Sequence, residues 1–189
     1  MIDRMPRNDW LVGGDRATVA AERIYDAATD LIVRDGLDAF DIDALAARVH
    51  CSRATVYRYA GGKAEIRDAV LARSAAGIIE SVRTAVEGLS GPERVVTAIT
   101  LALKRIRSDP LSQLMIGSVQ GIDAMSGLTA SPLLASFARD LSGLADSDRQ
   151  AAHWIVRVVL SLVYWPAKDE RAERQLVQRF VAPAFTEPS

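Results

Sequence analysis

The chain has 189 residues, 49% of them hydrophobic and 25% charged, with a formal net charge of −1, which is the balance of a globular protein able to bury a sizeable core. The longest apolar run, Ala151 to Trp165, is interrupted by His153 and Arg157 and falls short of the ~18 residues of a membrane span, so no membrane partner is expected. The charged N-terminus has no apolar stretch behind it, which argues against a signal peptide, and the single cysteine, Cys51, excludes an intrachain disulfide and fits a cytoplasmic location.

Helical periodicity holds along the chain, and the expected fold is all-α with about nine helices. Residues 1–14 read as an arm, disordered by default, from which Arg4 and Arg7, together with Arg16, can reach a minor groove. Over 17–34 the set Ile24, Ala27, Ala28, Leu31 and Ile32 forms one apolar stripe, and Gly36 supplies the positive φ that ends the helix. Asp41 is placed to cap a helix over 42–49 and Ser52 to cap the next, which Gly61 and Gly62 break. A longer helix starts at Lys63 and runs to about Val86. Pro92 opens a helix to Arg107, and Ser108-Asp109-Pro110 stops it and opens another. The Gly- and Ser-rich stretch 117–129 predicts irregular structure or a frayed helix. Ser131-Pro132 begins a helix to Leu144, Asp146–Asp148 cap the apolar segment ending at Trp165-Pro166, and 169–184 forms a last amphipathic helix carrying Leu176, Val177 and Phe180.

Charge is unevenly spread. Seven acids face two arginines between Glu22 and Asp43, whereas six bases face two acids between Arg48 and Arg73. Partners respond to local potential, so a basic patch can act although the net charge is near zero. The helix starting at Ser52 is short and polar, with little to bury except Val56. Preceded by Ala46 and Ala47, which suit a close helix crossing, and by Val49, it reads as the second helix of a helix-turn-helix, the one that enters a major groove. Arg53 and Arg58 offer forks to guanine or phosphate, Thr55 and Tyr57 suit phosphate oxygens, and Ala54 can touch a thymine methyl. Lys63 opens a helix whose free amides attract anions. The candidate DNA-binding set is Ser52, Arg53, Ala54, Thr55, Tyr57, Arg58, Tyr59 and Lys63.

Ile24-Tyr25-Asp26-Ala27-Ala28, Leu45-Ala46-Ala47-Arg48 and above all Ser52-Arg53-Ala54-Thr55-Val56-Tyr57-Arg58-Tyr59 with Lys63 resemble the N-terminal domain of the TetR family of bacterial transcriptional regulators, over about residues 16–70. The resemblance implies a homodimer in which a three-helix DNA-binding domain (1–62) precedes a ligand-binding and dimerisation domain (63–189). It also implies repression of a palindromic operator, relieved by a small-molecule effector. Two positions depart from the family pattern. His50 stands where Gly is usual, and His tolerates a left-handed conformation at about 0.5–1 kcal/mol. Ala60 stands where Phe is usual, removing a packing anchor.

The second half carries weaker signals. Ala151–Trp165 is apolar on nearly every face, so a second copy is expected to cover part of it together with the last helix, through Val158, Leu162, Leu176 and Phe180. His153, Arg157 and Ser161 stand at i, i+4 and i+8 with Tyr164 and Trp165 beyond. A buried Arg157 needs a carboxylate, either from an effector or from Asp123 or Asp140, unless the line lies at the rim of the dimer. Met115, Met125 and Phe137 are candidates for an adaptable apolar wall, or for simple core filling. No phosphate loop, nucleophile elbow or metal-ligand cluster is present, since His50 and Cys51 with only His153 elsewhere make an incomplete set; no enzyme activity, metal or cofactor is expected. The alternative is a helix-turn-helix dimer governed by a protein partner or by its own abundance. A fully packed second domain favours that alternative, and a cavity of several hundred Å3 favours ligand sensing.

Overall fold

The computed structural model describes residues 10–118, 122–145 and 148–186, with side chains from Arg16 in the first helix and from Ser126 in the seventh. Arg4, Arg7 and Asp146 lie outside the described residues, as do the side chains of Asp123 and Met125. Within them the chain is all-α: α1 (Trp10–Asp35), α2 (Ile42–Arg48), α3 (Arg53–Ala60), α4 (Lys63–Val86), α5 (Gly91–Ser108), α6 (Pro110–Ser118), α7 (Ile122–Thr129), α8 (Pro132–Ser142), α9 (Arg149–Tyr164) and α10 (Glu170–Leu176). A π-helical turn, Val177–Val181, and a 3-10 turn, Ala182–Phe185, follow. None of the described helices is long and apolar enough to cross a membrane.

Two expectations change. The first helix begins at Trp10, so residues 10–14 belong to it and not to an arm. Of the two alternatives for 117–129 the helix holds, as α7, despite Gly127 within it, and the described count becomes ten α-helices where about nine were expected. The expected last helix is also less regular: α10 passes into the π turn, closed by the Ala182 amide on the Val177 carbonyl, and Pro183 lies in the 3-10 turn that ends it.

The chain divides into two compact units between Ala72 and Arg73, inside α4. In the first, Ile24, Ala28, Leu31 and Ile32 of α1 are buried together with Phe40, Ile42, Leu45, Ala46 and Val56. Burying each large aliphatic or aromatic side chain contributes about 1.5–3 kcal/mol. Gly36 (φ 91°) closes α1, and the Asp41 carboxylate accepts from the Asp43 and Ala44 amides, starting α2. Of Ala46 and Ala47, expected at the helix crossing, only Ala46 is buried; Ala47 is exposed. The turn after α2 places His50 in the left-handed region at φ 54°, as its position in place of Gly required.

In the second unit Val95, Val96, Ile99 and Leu103 of α5 form a core with Ile155 of α9 and with Val177, Val181 and Ala182. Arg94 ties the ends of two helices: its Nε donates to the Leu141 carbonyl and an Nη to that of Asp140, both at 3.0 Å, at the C-terminus of α8. Cations are favoured there by the helix dipole.

Candidate nucleic-acid interface and effector cavity

The Ser52 hydroxyl accepts from the Thr55 amide at 3.2 Å and lies 2.9 Å from the Thr55 hydroxyl, fixing the start of α3. From that start Val56 and Ala60, four residues apart, turn inward and are buried. The opposite face therefore presents Arg53, Ala54, Tyr57 and Arg58, all exposed, with Thr55 and Tyr59 half-buried at its edges. Ser52 and Lys63 are exposed at either end. The structure thus brings the sequence-derived DNA-binding set together along one helix and its flanks.

Each cation on that face leans on a neighbour. Arg53 reaches Asp43 of α2, Nε to Oδ1 at 3.2 Å and Nη1 to Oδ2 at 3.3 Å. The Tyr57 hydroxyl first, then Asp43, hold the Arg53 guanidinium above its ordinary pKa, so it stays charged. Arg58 lies 4.5 Å over the Tyr59 ring and donates to its hydroxyl at 2.9 Å. The Lys63 ammonium donates to the Asp38 carbonyl at 3.0 Å, and Arg48 pairs with Asp30 at 2.7 Å. Exposed pairs of this kind hold a side chain in place at little net gain, so a phosphate can displace them. Sequence reasoning missed Asp43, because its meeting with Arg53 depends on how α2 crosses α3.

The second unit contains an apolar cavity of about 300 Å3. Ile78, Ile79 and Val82 of α4 wall it with Ala98 and Ala102 of α5, Phe137 and Leu141 of α8, and Val156 and Val159 of α9. Leu133, 62% exposed, stands at its margin. No charged side chain lines it, and the polar ones are Ser112 and Ser142. Ser112 is committed to Asp109, whose Oδ2 also accepts from the Ser74 hydroxyl, each at 2.7 Å. Ser142 is 4% exposed and its hydroxyl has no hydrogen-bond partner. Burying an unpaired hydroxyl costs about 1–3 kcal/mol.

Of the residues expected to bind an effector, Phe137 alone lines this cavity. His153 and Arg157 border an open surface depression with Asp148, Trp154 and Phe185, and His153 Nδ1 lies 3.3 Å from the Thr129 carbonyl. Arg157 is exposed in the single chain and also borders the groove between α9 and the π turn, while Asp140 pairs with Arg83 at 2.9 Å. Met115 and Ser161 are exposed, the Tyr164 hydroxyl donates to the Ile116 carbonyl at 3.4 Å, and Trp165 is 71% exposed. Arg157 and Ser161 of the polar line are exposed, and the α9 residues that line the cavity are Ile155, Val156, Val159 and Leu160.

The exposed residues of α9 border a second feature. Val158 and Leu162 pack partly on the α5 core, while Trp154, Leu176 and the 65% exposed Phe180 stand outside it, bordering one apolar groove between α9 and the π turn.

An exposed basic helix behind a capped turn is the arrangement of a helix-turn-helix. Residues 24–70 match the family model described as bacterial regulatory proteins, tetR family. An HTH-type transcriptional regulator of Mycobacterium tuberculosis (strain H37Rv) is 29% identical over 191 residues, covering 98% of this chain and 94% of its own. Among solved structures, a TetR/AcrR family regulator from Thermobifida fusca superposes with TM-score 0.58 at 16% identity, over 88% of this chain and 98% of its own. The TetR family repressor AlkX from Dietzia sp., implicated in biodegradation of n-alkanes, superposes with TM-score 0.56 at 21% identity, over 86% and 93%. Residues 24–70 thus match a TetR-type DNA-binding domain, and the chain is similar along nearly its whole length to an HTH-type transcriptional regulator.

Proposed function

We propose that this chain is a ligand-responsive repressor, working in the cytoplasm as a homodimer on a palindromic operator. The carrying observation is the cavity of about 300 Å3 in the second unit, since a domain controlled only by a protein partner or by abundance has no need of unfilled space beside a packed core. α4 gives the cavity a route to DNA. Its residues Ile78, Ile79 and Val82 form wall, and the same continuous helix begins at Lys63, next to the reading helix. An effector that binds better to one arrangement of α4 shifts the population toward it and away from the DNA-competent spacing of about 34–36 Å between reading helices.

The dimer reading draws on the groove between α9 and the π turn, where Trp154, Leu176 and Phe180 leave apolar surface exposed. The sign of regulation is taken from AlkX, a repressor of the same fold. Duplex binding measured by fluorescence anisotropy across a salt series tests the DNA face. Tyr57→Ala and Arg58→Ala are expected to weaken binding, and Arg58→Ala to lower the salt slope by about one ion. Unchanged affinity and slope in both variants overturn the reading.

A further inference from the structure

We infer that the effector is an uncharged, largely aliphatic molecule carrying one hydrogen-bonding group, and that the Ser142 hydroxyl recognises that group; this rests on the proposal that the cavity is the sensing site. The reasoning starts from what the walls can and cannot satisfy. Apart from Ser142 at the end of α8, the helices α4, α5, α8 and α9 contribute only apolar side chains, and no lysine, arginine, histidine, aspartate or glutamate lines the space. A carboxylate or ammonium entering it loses its water and finds no counter-charge. Charged molecules are therefore rejected by the lining itself.

The two serines are not equivalent. The Ser112 hydroxyl donates its proton to Asp109 at 2.7 Å, so it has none to offer a ligand. The Ser142 hydroxyl is buried at the end of α8 with both its donor and its acceptor capacity unused. A helical serine commonly bonds back to a carbonyl one turn earlier, and this one does not. A ligand alcohol, ketone or ester oxygen supplies the missing partner while its hydrocarbon portion fills the walls. At the density of protein interiors, about three-quarters filled, the space holds on the order of ten to fifteen non-hydrogen atoms.

The test uses the full chain with 1-decanol, decanoate and decylamine, which share a hydrocarbon length and differ in charge. Calorimetric titration is expected to show decanol binding about tenfold or more tightly than either ion. Ser142→Ala is expected to weaken decanol about three- to tenfold, as loss of one hydrogen bond. Ala102→Phe, which fills the cavity, is expected to abolish binding, with the helical circular dichroism unchanged. Tighter binding of decanoate or decylamine, or equal decanol binding by Ser142→Ala, overturns the inference. DNA occupancy is read in parallel: decanol bound through Ser142 with DNA still held upholds the ligand class and overturns the sensing proposal. DNA release by a charged compound alone does the reverse.

Discussion

Arg107 and Glu173 meet side by side, Nη1 to Oε1 at 3.0 Å and Nη2 to Oε2 at 2.6 Å, while the same Nη2 donates to the Leu162 carbonyl at 2.8 Å. One guanidinium thus joins the last turn of α5 to α10 and to the C-terminal part of α9. The Glu173 carboxylate is almost wholly buried, with 4% of its side chain exposed, so the pair is not a solvated surface contact. Removing the arginine leaves a buried charge without a partner, which is the costly way to break such a pair. Arg107→Ala is expected to lower stability by about 2–4 kcal/mol in urea denaturation, and the double change Arg107→Leu with Glu173→Leu to recover much of the loss.

Gly143 ends α8 at φ 70°, and a Cβ placed there would stand 2.9 Å from both Cδ and Nε of Arg94. Arg94 cannot yield freely, because its hydrogen bonds hold it against the carbonyls of Asp140 and Leu141. Gly143→Ala is expected to cost about 1–3 kcal/mol, checked by thermal melting.

Ser142→Ala runs in the opposite direction. It removes a buried hydroxyl that has no partner in the free protein. The ligand-free chain is expected to gain about 1 kcal/mol of stability, measured in the same denaturation assay. A loss of stability would mean that the hydroxyl is satisfied.

Much of the N-terminal unit was legible in the sequence because its signals are local. Asp41 and Ser52 cap the helices they precede, Gly36 and His50 take positive φ, and Val56 is the buried point of α3. Such features depend on a few neighbouring residues. The second unit yielded less for a physical reason. The line His153, Arg157 and Ser161 reads as facing a cavity, but in the single chain Arg157 and Ser161 are exposed and His153 is half-buried against the Thr129 carbonyl. The cavity walls are mostly alanine, valine, isoleucine and leucine, residue types that read the same whether they fill a core or border a space. Asp43 and Glu173 share that difficulty, since their partners Arg53 and Arg107 are brought to them by helix crossing.

Asp43 offers a test of the DNA face that leaves the reading residues intact. Its carboxylate holds Arg53 and adds a negative charge beside the expected phosphate path. Asp43→Asn is expected to tighten duplex binding about three- to tenfold at low salt, with the gain fading as salt is raised. Weaker binding would mean that Asp43 aims Arg53 rather than competing for it.

Phe180 is the most exposed aromatic side chain of the groove between α9 and the π turn. Placing a charge there, Phe180→Glu, is expected to weaken self-association about thirtyfold or more, read by sedimentation velocity over a concentration series. A dimer of unchanged strength would move the interface elsewhere.

Selection of bound fragments from a pool of random duplex DNA tests the central claim most directly. The α3 face is expected to enrich a two-fold symmetric site whose half-sites lie about one helical turn apart, ~34–36 Å, or a multiple of it. Enrichment of no sequence, or of a single unpaired half-site, would contradict a symmetric reader of DNA.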